Sequence, residues 1–276
     1  LYMDIKAFKM DGLGNDFVII DQRHNIIDLS KDQIIKICDR NYIGCDQLIL
    51  IKKDRRIDVG LEFYNSDGSQ SGACGNGTRC VAYFLYKENN KKEIELWTSS
   101  KIIKSKILKN NIVESEIGVA KTKWDEIPIN ERLDTTNLNI KIFDKKNEEF
   151  IGGTAVNVGN PHVIFCVKNL EDFDIEEIGP DIEKHNLFPE KCNVTIAQVI
   201  NKNLIKVKVW ERGAGLTKAC GTAACATAIA SKMNGLTESN IDVEFALGKL
   251  SIFIDKNNSI HMKGPVSDIQ EIRIKL

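Results

Sequence analysis

The length, composition and charge of the chain exclude several classes of protein. Its 276 residues suffice for one large domain or two packed ones, and 42% hydrophobic with 28% charged residues indicates a globular chain rather than a disordered one. No apolar run approaches the roughly 18 residues of a membrane-spanning helix. Because 38 basic residues nearly balance 39 acidic ones, the net charge of −1 favours a small-molecule ligand over nucleic acid or a membrane surface.

Short segments of alternating apolar and polar residues predict that strands dominate the chain. In chain order these segments are residues 5–8, 17–21, 93–97, 112–117, 204–210, 241–245, 250–254 and 269–274.

Four helices are predicted between these strands. Ser30 and Gln33 form a capping-box pattern ahead of an apolar helix face, and residues 171–185 form an acidic helical segment interrupted by a proline. The other two helices are expected to begin at Gly75 and Gly221, each directly after a cysteine.

The eight cysteines predict a protein of a reducing compartment. They are too few for a disulfide scaffold, and none is spaced as C-x-x-C, so structural zinc is not expected. No basic, apolar leader precedes Met3. We therefore expect a cytoplasmic protein without a metal site.

Several landmarks recur along the chain at an offset of 145 to 147 residues. The pairs are Gly14-Asn15 with Gly159-Asn160, Cys45-Asp46 with Cys192-Asn193, Asn65 with Glu211, and Ala73-Cys74-Gly75 with Ala219-Cys220-Gly221. Coincidence among Gly and Asn turn signals is the alternative, but the constant order favours two copies of one α/β unit. We expect an N-terminal half at 1–121, joined by a returning strand at 266–276, and a C-terminal half at 122–265.

Two cysteines at helix starts suggest acid/base chemistry. Free backbone N–H groups at a helix N-terminus are expected to lower the pKa of a thiol. If the repeats face each other across a pseudo-two-fold axis, Cys74 and Cys220 approach one cleft from opposite sides. One thiolate then removes a proton from a carbon, the other thiol protonates the opposite face, and the stereocentre inverts. The backbone donors expected to stabilise the substrate carboxylate as it gains enolate character belong to Gly75, Asn76, Gly221 and Thr222.

Other interpretations of these residues stay open at this point. A thiol hydrolase using Cys74 and His162 is conceivable, but it leaves Cys220 without a role. A redox thiol protein is a second possibility. The glycines at 72, 75 and 77 lack both the lysine and the spacing of a phosphate-binding loop. Most of the remaining cysteines are interpreted as small buried hydrophobes.

Four longer motifs extend over nearly the whole chain. They are Lys9-Met10-Asp11-Gly12-Leu13-Gly14-Asn15-Asp16-Phe17, Asn65-x-Asp67-Gly68-x5-Cys74-Gly75-Asn76-Gly77-x-Arg79-Cys80, Gly159-Asn160-Pro161-His162 and Glu211-Arg212-Gly213-Ala214-Gly215-x-Thr217-x-Ala219-Cys220-Gly221-Thr222. In content and order they resemble the diaminopimelate epimerase family.

The resemblance implies an α+β fold with two pseudo-symmetric α/β halves. Each half would be a strongly curved, mostly antiparallel sheet around a central helix, with the active site in the cleft between them. It also implies a homodimer that needs no cofactor, pyridoxal phosphate included, and that interconverts LL- and meso-2,6-diaminopimelate in lysine and peptidoglycan precursor biosynthesis. A related racemase of a cyclic amino acid is the nearest alternative.

The resemblance also assigns roles to individual residues. Cys74 and Cys220 would be the acid/base pair, as donor and acceptor in the LL-to-meso direction, and His162 and Glu211 would support the chemistry near the reacting carbon. The residues that would hold the amino and carboxylate groups of the substrate are Asn15, Gln47, Asn65, Asn160, Asn193, Glu211 and Arg212. Compared with the usual family pattern, the loop before Gln47 is one glycine short.

Overall fold

A computed structural model describes residues 3–72, 74–99 and 101–276, so Ala73 of the repeated Ala-Cys-Gly motif lies outside the described residues. The chain divides into two compact units, one formed by Leu1–Glu116 with Lys263–Leu276 and the other by Ile117–Met262. No helix in the described ranges is long and apolar enough to cross a membrane.

The strands, in chain order, are β1 (Asp4–Gly12), β2 (Asn15–Asp21), β3 (Gln47–Lys52), β4 (Val59–Asn65), β5 (Gln70–Ser71), β6 (Glu93–Trp97), β7 (Ile102–Ile107), β8 (Ile112–Val119), β9 (Ile140–Phe143), β10 (Glu149–Gly152), β11 (Thr154–Asn157), β12 (Pro161–Val167), β13 (Asn193–Asn201), β14 (Leu204–Glu211), β15 (Gly215–Thr217), β16 (Asn240–Phe245), β17 (Gly248–Ile254), β18 (Ser259–Pro265) and β19 (Gln270–Lys275). The helices are α1 (Lys31–Cys38), α2 (Gly75–Asn89), α3 (Ile175–Glu183) and α4 (Gly221–Met233), with a 3-10 turn at Leu170–Asp172. Seven of the eight alternating segments found in the sequence fall within strands, and the eighth, 269–274, begins one residue before β19.

The two units repeat one pattern of strand pairing. In the first, β1 pairs antiparallel with β2, β2 parallel with β3, β3 antiparallel with β4, and β4 antiparallel with β5 and parallel with β6, which is followed by the antiparallel strand β7. In the second, β11 to β17 repeat these pairings in the same order. Helices α1 and α3 occupy equivalent connections, as do α2 and α4. This agreement confirms the predicted α+β fold with two pseudo-symmetric halves.

The helix starts follow local capping chemistry. Helix α2 begins at Gly75 with Cys74 as its N-cap, and α4 begins at Gly221 with Cys220 as its N-cap, as predicted. The capping box of α1 is present, because Ser30 and Gln33 each bond the other's backbone N–H. The acidic helix α3 is shorter than predicted, since the Asp174 side chain accepts the N–H of Glu176 and begins the helix there.

Both faces of the first sheet are covered. Along β2, Phe17 and Ile19 pack into a cluster with α2, whereas Val18 and Ile20 pack into a second cluster with α1. Such alternation is required of a strand buried on both faces. The second unit has its own core around Phe165, Ile178 and Ile196, with α3 contributing several members. In this way each unit holds a helix-starting cysteine on an internal scaffold of its own.

Candidate active site

Cys74 lies at the start of α2, next to Asn15 at the start of β2. The Cys74 thiol donates to Asn15 Oδ1 at a sulfur–oxygen distance of 3.4 Å, and Asn76 Nδ2 donates to the same oxygen at 3.2 Å. Helix geometry leaves the N–H groups of Gly75 and Asn76 without acceptors inside the helix. The structure therefore brings together four of the predicted site residues of the first unit.

Two charged residues determine how the amides of this cluster are oriented. The buried Arg79 guanidinium donates to Asn76 Oδ1 at 2.5 Å, and Asn15 Nδ2 donates to Asp46 Oδ2 at 2.9 Å. A guanidinium can only donate and a carboxylate can only accept. The hydrogen bonds therefore run in one direction from Arg79 to Asp46, and the carbonyl oxygen of Asn15 faces the sulfur of Cys74.

Asp46 is itself held by a charged cluster at the start of β2. Arg40 donates to Asp46 at 2.7 Å and to both oxygens of Asp16, and Lys9 lies 3.7 Å from Asp16. Partial burial opposes ionisation of Asp16, but the hydrogen bonds and charge of Arg40 outweigh it and lower the pKa of this carboxyl group. The charged cluster anchors the loop before β3 to β2.

Gln47 and Asn65 form a second pair in the first unit. They lie opposite each other in the β3–β4 ladder, and Gln47 Nε2 donates to Asn65 Oδ1 at 3.1 Å and to Ser71 Oγ at 3.0 Å. These bonds link adjacent strand ends close to the β5 segment that leads to Cys74.

Strand register corrects one step of the repeat alignment. Phe17 pairs with Gln47 in the first unit, and His162 pairs with Asn193 in the second. Asn193 therefore corresponds to Gln47, and the predicted match with Asp46 was wrong by one residue. The cause is loop length, because residues 39–46 connect α1 to β3 whereas residues 184–192 connect α3 to β13. The shorter loop leaves Gln47 at the equivalent strand position.

Cys220 lies in a more buried and more acidic environment than expected. Its sulfur accepts the N–H of Ala223 at 3.4 Å and lies 3.4 Å from Thr222 Oγ1, and its thiol hydrogen-bonds Glu211. Burial, followed by the charge of Glu211, raises the pKa of Cys220 well above its usual range. The expectation that the helix start lowers the pKa was wrong for this thiol, because desolvation and a carboxylate outweigh the backbone donors.

The turn after β14 carries Arg212 directly beside Glu211. The Arg212 backbone N–H donates to Asn193 Oδ1 at 2.9 Å, and its guanidinium donates to the Glu190 carbonyl at 2.9 Å. Asn193 in turn donates to the Pro161 carbonyl at 2.9 Å. These contacts bring Asn193, Glu211, Arg212 and Cys220 into one connected region of the second unit.

His162 is completely buried and neutral. Its Nε2 donates to Asn160 Oδ1 at 2.9 Å, whereas Nδ1 has no partner among the residues that the structure describes. Burial, followed by the charge of Arg212, lowers the pKa of His162 to about 3. At neutral pH the imidazole is therefore uncharged and holds the Asn160 side chain by donating a hydrogen bond to its carbonyl oxygen.

Three residues that hydrogen-bond to the proposed site residues or to their immediate neighbours were not identified from the sequence as part of the site. Arg79 carried a usable signal, because it directly precedes Cys80 and the inward-facing Val81 and Ala82 of α2. Asp46 and Glu183 carried none. Asp46 lies between Cys45 and Gln47 in a loop, and Glu183 precedes Lys184 at the end of an acidic helix, so neither position indicates a buried contact. Glu183 accepts the N–H of Gly213, two residues after Glu211.

The two thiols thus occupy equivalent places in the repeat but have different partners. Cys74 faces an amide carbonyl, whereas Cys220 faces a carboxylate. Two helix-starting thiols with unequal surroundings are suited to acid/base chemistry in which one gives a proton and the other takes one.

Solved structures place this fold in a known class. The crystal structure of a phenazine biosynthesis protein of the PhzF family from Bacillus anthracis matches with a TM-score of 0.68 at 15% identity, covering 99% of both chains. A hydroxyproline epimerase from Agrobacterium vitis, with bound trans-4-hydroxy-L-proline, matches with a TM-score of 0.64 at 12% identity, covering 98% of this chain and 91% of that one. The protein has the duplicated two-unit fold of these proteins.

Sequence comparison identifies the family within that class. The sequence profile of diaminopimelate epimerase matches residues 7–123 and 154–269. A diaminopimelate epimerase of Pelagibacter ubique (strain HTCC1062) is 69% identical over 274 residues, 99% of this chain and 100% of that protein, and one of Acidiphilium cryptum (strain JF-5) is 38% identical over 264 residues, 95% and 94% of the two chains. The chain belongs to the diaminopimelate epimerase family and is therefore an isomerase.

Proposed function

We propose that the protein converts LL-2,6-diaminopimelate to meso-2,6-diaminopimelate without a cofactor, with Cys74 and Cys220 as the acid/base pair. The single observation that supports this most directly is the repeated placement of a cysteine at the N-cap of the equivalent helices α2 and α4. The family membership supplies the substrate, because the relatives are diaminopimelate epimerases.

The proposed step exchanges one proton for another at a single carbon. In the LL-to-meso direction the Cys220 thiolate removes the α-proton, so the C–H bond breaks and its electrons remain on the carbon. The Cys74 thiol then donates its proton to the opposite face. Backbone N–H groups at the two helix starts stabilise the enolate-like carboxylate between these events. The roles reverse in the other direction, and no net proton or electron is consumed.

The contact between Glu211 and Cys220 suggests how the thiolate forms. The carboxylate raises the pKa of Cys220. An α-ammonium group of the substrate bound by Glu211 would offset that negative charge and lower the pKa of the thiol. Deprotonation of Cys220 would then be favoured when a zwitterionic substrate is in place.

The polar side chains of both units suit a substrate with two amino-acid head groups. Arg212 can pair with a carboxylate, and amide side chains can bind carboxylate or ammonium groups in either orientation. We assign this binding to Asn15, Gln47, Asn65, Asn160, Asn193, Glu211 and Arg212. A cyclic amino acid has one head group and would leave several of these side chains unpaired, which disfavours a proline-type racemase.

The remaining features of the proposal follow from the family. We infer two epimerase halves at 1–121 with 266–276 and at 122–265, a homodimer, and a cytoplasmic role in lysine and peptidoglycan precursor biosynthesis.

Solvent isotope exchange tests the proposed reaction. We expect the purified, reduced protein to incorporate deuterium at the α-carbon of LL-diaminopimelate in D2O and to form the meso isomer with no added cofactor. Replacing Cys74 or Cys220 by Ala should abolish turnover, because each removes one of the two proton carriers. Cys166→Ala is the matched control, since it removes a thiol from β12 and should retain activity.

The same assay separates the alternatives. Exchange of trans-4-hydroxy-L-proline or proline instead of diaminopimelate would indicate a cyclic amino-acid racemase. A hydrolase would form an acyl-thioester, and a redox protein would consume electrons. Near-normal epimerisation by either Cys→Ala variant would refute the two-cysteine mechanism.

A further inference from the structure

Glu183, the last residue of α3, is a buried carboxylate with two neutral hydrogen-bond donors. It is 6% exposed. Its Oε2 accepts the indole N–H of Trp210 at 2.8 Å, and its Oε1 accepts the backbone N–H of Gly213 at 3.0 Å. The Trp210 ring lies against α3 so closely that a Cβ on Gly179 would be 2.4 Å from it.

The chemistry of the two partners explains why this position needs a carboxylate. An indole N–H and a backbone N–H can only donate, so the residue between them must offer two acceptors. A glutamine of the same shape would offer one acceptor and one NH2 group, which would face a donor. A buried donor left without an acceptor costs free energy.

The two donors lie on either side of proposed site residues. Trp210 immediately precedes Glu211, and Gly213 immediately follows Arg212. Glu183 also joins the strand that carries Asn193, because its carbonyl oxygen accepts the N–H of Cys192. Both sides of the Glu211–Arg212 segment are therefore attached to one side chain of α3.

We propose that Glu183 is a positioning residue, which holds Glu211 against Cys220 and Arg212 in its binding orientation by accepting hydrogen bonds from Trp210 and Gly213. This assignment rests on the proposed function for its catalytic meaning, but the geometry of the Glu211–Cys220 contact can be tested without substrate.

Thiol reactivity provides that test. Glu183→Gln should let the Glu211 segment shift, weaken its contact with Cys220 and increase the thiolate fraction of that cysteine. We expect iodoacetamide to alkylate Cys220 about fivefold faster or more at pH 8, relative to the buried Cys225 of the same helix, as measured by peptide mass spectrometry. Glu211→Gln gives the reference value for complete loss of the carboxylate. A merely structural role would change Cys220 and Cys225 alike.

Removing one donor should rescue the variant. In Trp210→Phe the indole donor is absent, so a glutamine at 183 can turn its oxygen to Gly213 and its NH2 group away. In the double variant Trp210→Phe/Glu183→Gln, we expect the ratio of the Cys220 and Cys225 alkylation rates to lie within about twofold of the ratio in Trp210→Phe alone. With LL-diaminopimelate, kcat/KM should fall about tenfold in Glu183→Gln and recover in the double variant.

Every outcome of the alkylation experiment decides the proposal. An unchanged Cys220/Cys225 ratio in folded Glu183→Gln overturns it, as does a double variant as reactive as Glu183→Gln itself. If Glu183→Gln does not fold, the double variant must fold and give the same Cys220/Cys225 alkylation ratio as Trp210→Phe. A double variant that does not fold also overturns the proposal. Absence of epimerisation by the wild-type chain would refute the proposed function while leaving the alkylation result intact.

Discussion

Burial holds His162 and Cys220 of the second unit in their uncharged forms. His162 is fully buried and has a pKa of about 3, and Cys220 has a pKa well above its usual range. In both, desolvation is the largest cause, since a charge removed from water is destabilised whatever its sign. The charges of Arg212 and Glu211 act in the same direction on their respective neighbours.

The neutral state of His162 predicts a pH dependence of stability. The pKa is about 3 in the folded protein and 6.5 in the unfolded chain, so the unfolded chain binds more protons between these values. The free energy of unfolding should therefore fall as pH decreases from about 6.5 towards 3, by up to about 1.4 kcal/mol per pH unit from this group. Urea unfolding of wild type and His162→Gln between pH 4 and 7 gives the free energy of unfolding at each pH. Its change with pH should be smaller in the variant.

His24→Gln is the matched control for this measurement. His24 is exposed, so its replacement should leave the pH slope of wild type unchanged. Equal slopes in wild type and His162→Gln would contradict a neutral, buried imidazole at position 162.

At the scale of elements, packing against the sheet explains the glycine at position 77, in the first turn of α2. A Cβ on Gly77 would lie 2.8 Å from the Phe63 ring, 2.9 Å from Ile49 and 3.2 Å from Phe17. The helix can approach β2, β3 and β4 this closely only because position 77 lacks a side chain. Of the three glycines that superficially resembled a phosphate loop, Gly77 is therefore explained by the packing of α2 on its sheet.

Gly77→Ala should destabilise the protein. Alanine is favoured over glycine in a helix by about 1 kcal/mol, but overpacking against three core side chains costs about 1–3 kcal/mol, so we expect a net loss. Thermal or urea unfolding measures it. Gly72→Ala is the control, because a Cβ there meets no atom within 4 Å. Equal or greater stability of Gly77→Ala would contradict the close approach of α2 to the sheet.

At the scale of the whole molecule, the C-terminal segment completes the first unit. Strand β19 pairs antiparallel with β1, and Ile274 is buried with Ile5, Val18 and Ile20. Val266 joins the core on the other face of the same sheet, beside α2. Segments far apart in the sequence therefore contribute to one core, and the first unit depends on residues 266–276.

Ile274→Ala should destabilise the first unit selectively. Removal of its buried side chain should cost about 2–5 kcal/mol. Tryptophan fluorescence separates the two units. In the Trp124→Phe/Trp210→Phe variant the fluorescence of Trp97 reports on the first unit, and in the Trp97→Phe variant the fluorescence of Trp124 and Trp210 reports on the second. We expect the urea midpoint to fall mainly for Trp97.

Arg273→Ala is the neighbouring control. Its side chain is exposed and lies 3.7 Å from Asp4, a surface ion pair worth about 0–1 kcal/mol. A midpoint shift as large as that of Ile274→Ala, or an equal shift of both reporters, would contradict a separate first core closed by β19.

The sequence alone determined the repeat and the two cysteines at helix starts, because these features depend on local chemistry. Capping patterns, strand alternation and the recurrence of short motifs involve neighbouring residues and remain visible in one dimension. The repeat alignment failed by one residue at Gln47, where a shorter loop changed the spacing without changing the strand register.

Only the tertiary structure decided which groups contact those cysteines and how the surroundings of Cys220 change its pKa. Glu183 and Trp210 are 27 residues apart. The series of hydrogen bonds from Arg79 to Asp46 joins α2, β2 and the loop before β3. The raised pKa of Cys220 depends on how much water the fold excludes and on which carboxylate lies beside the sulfur. Desolvation and hydrogen-bond direction are properties of the packed chain, so no local pattern could have predicted them.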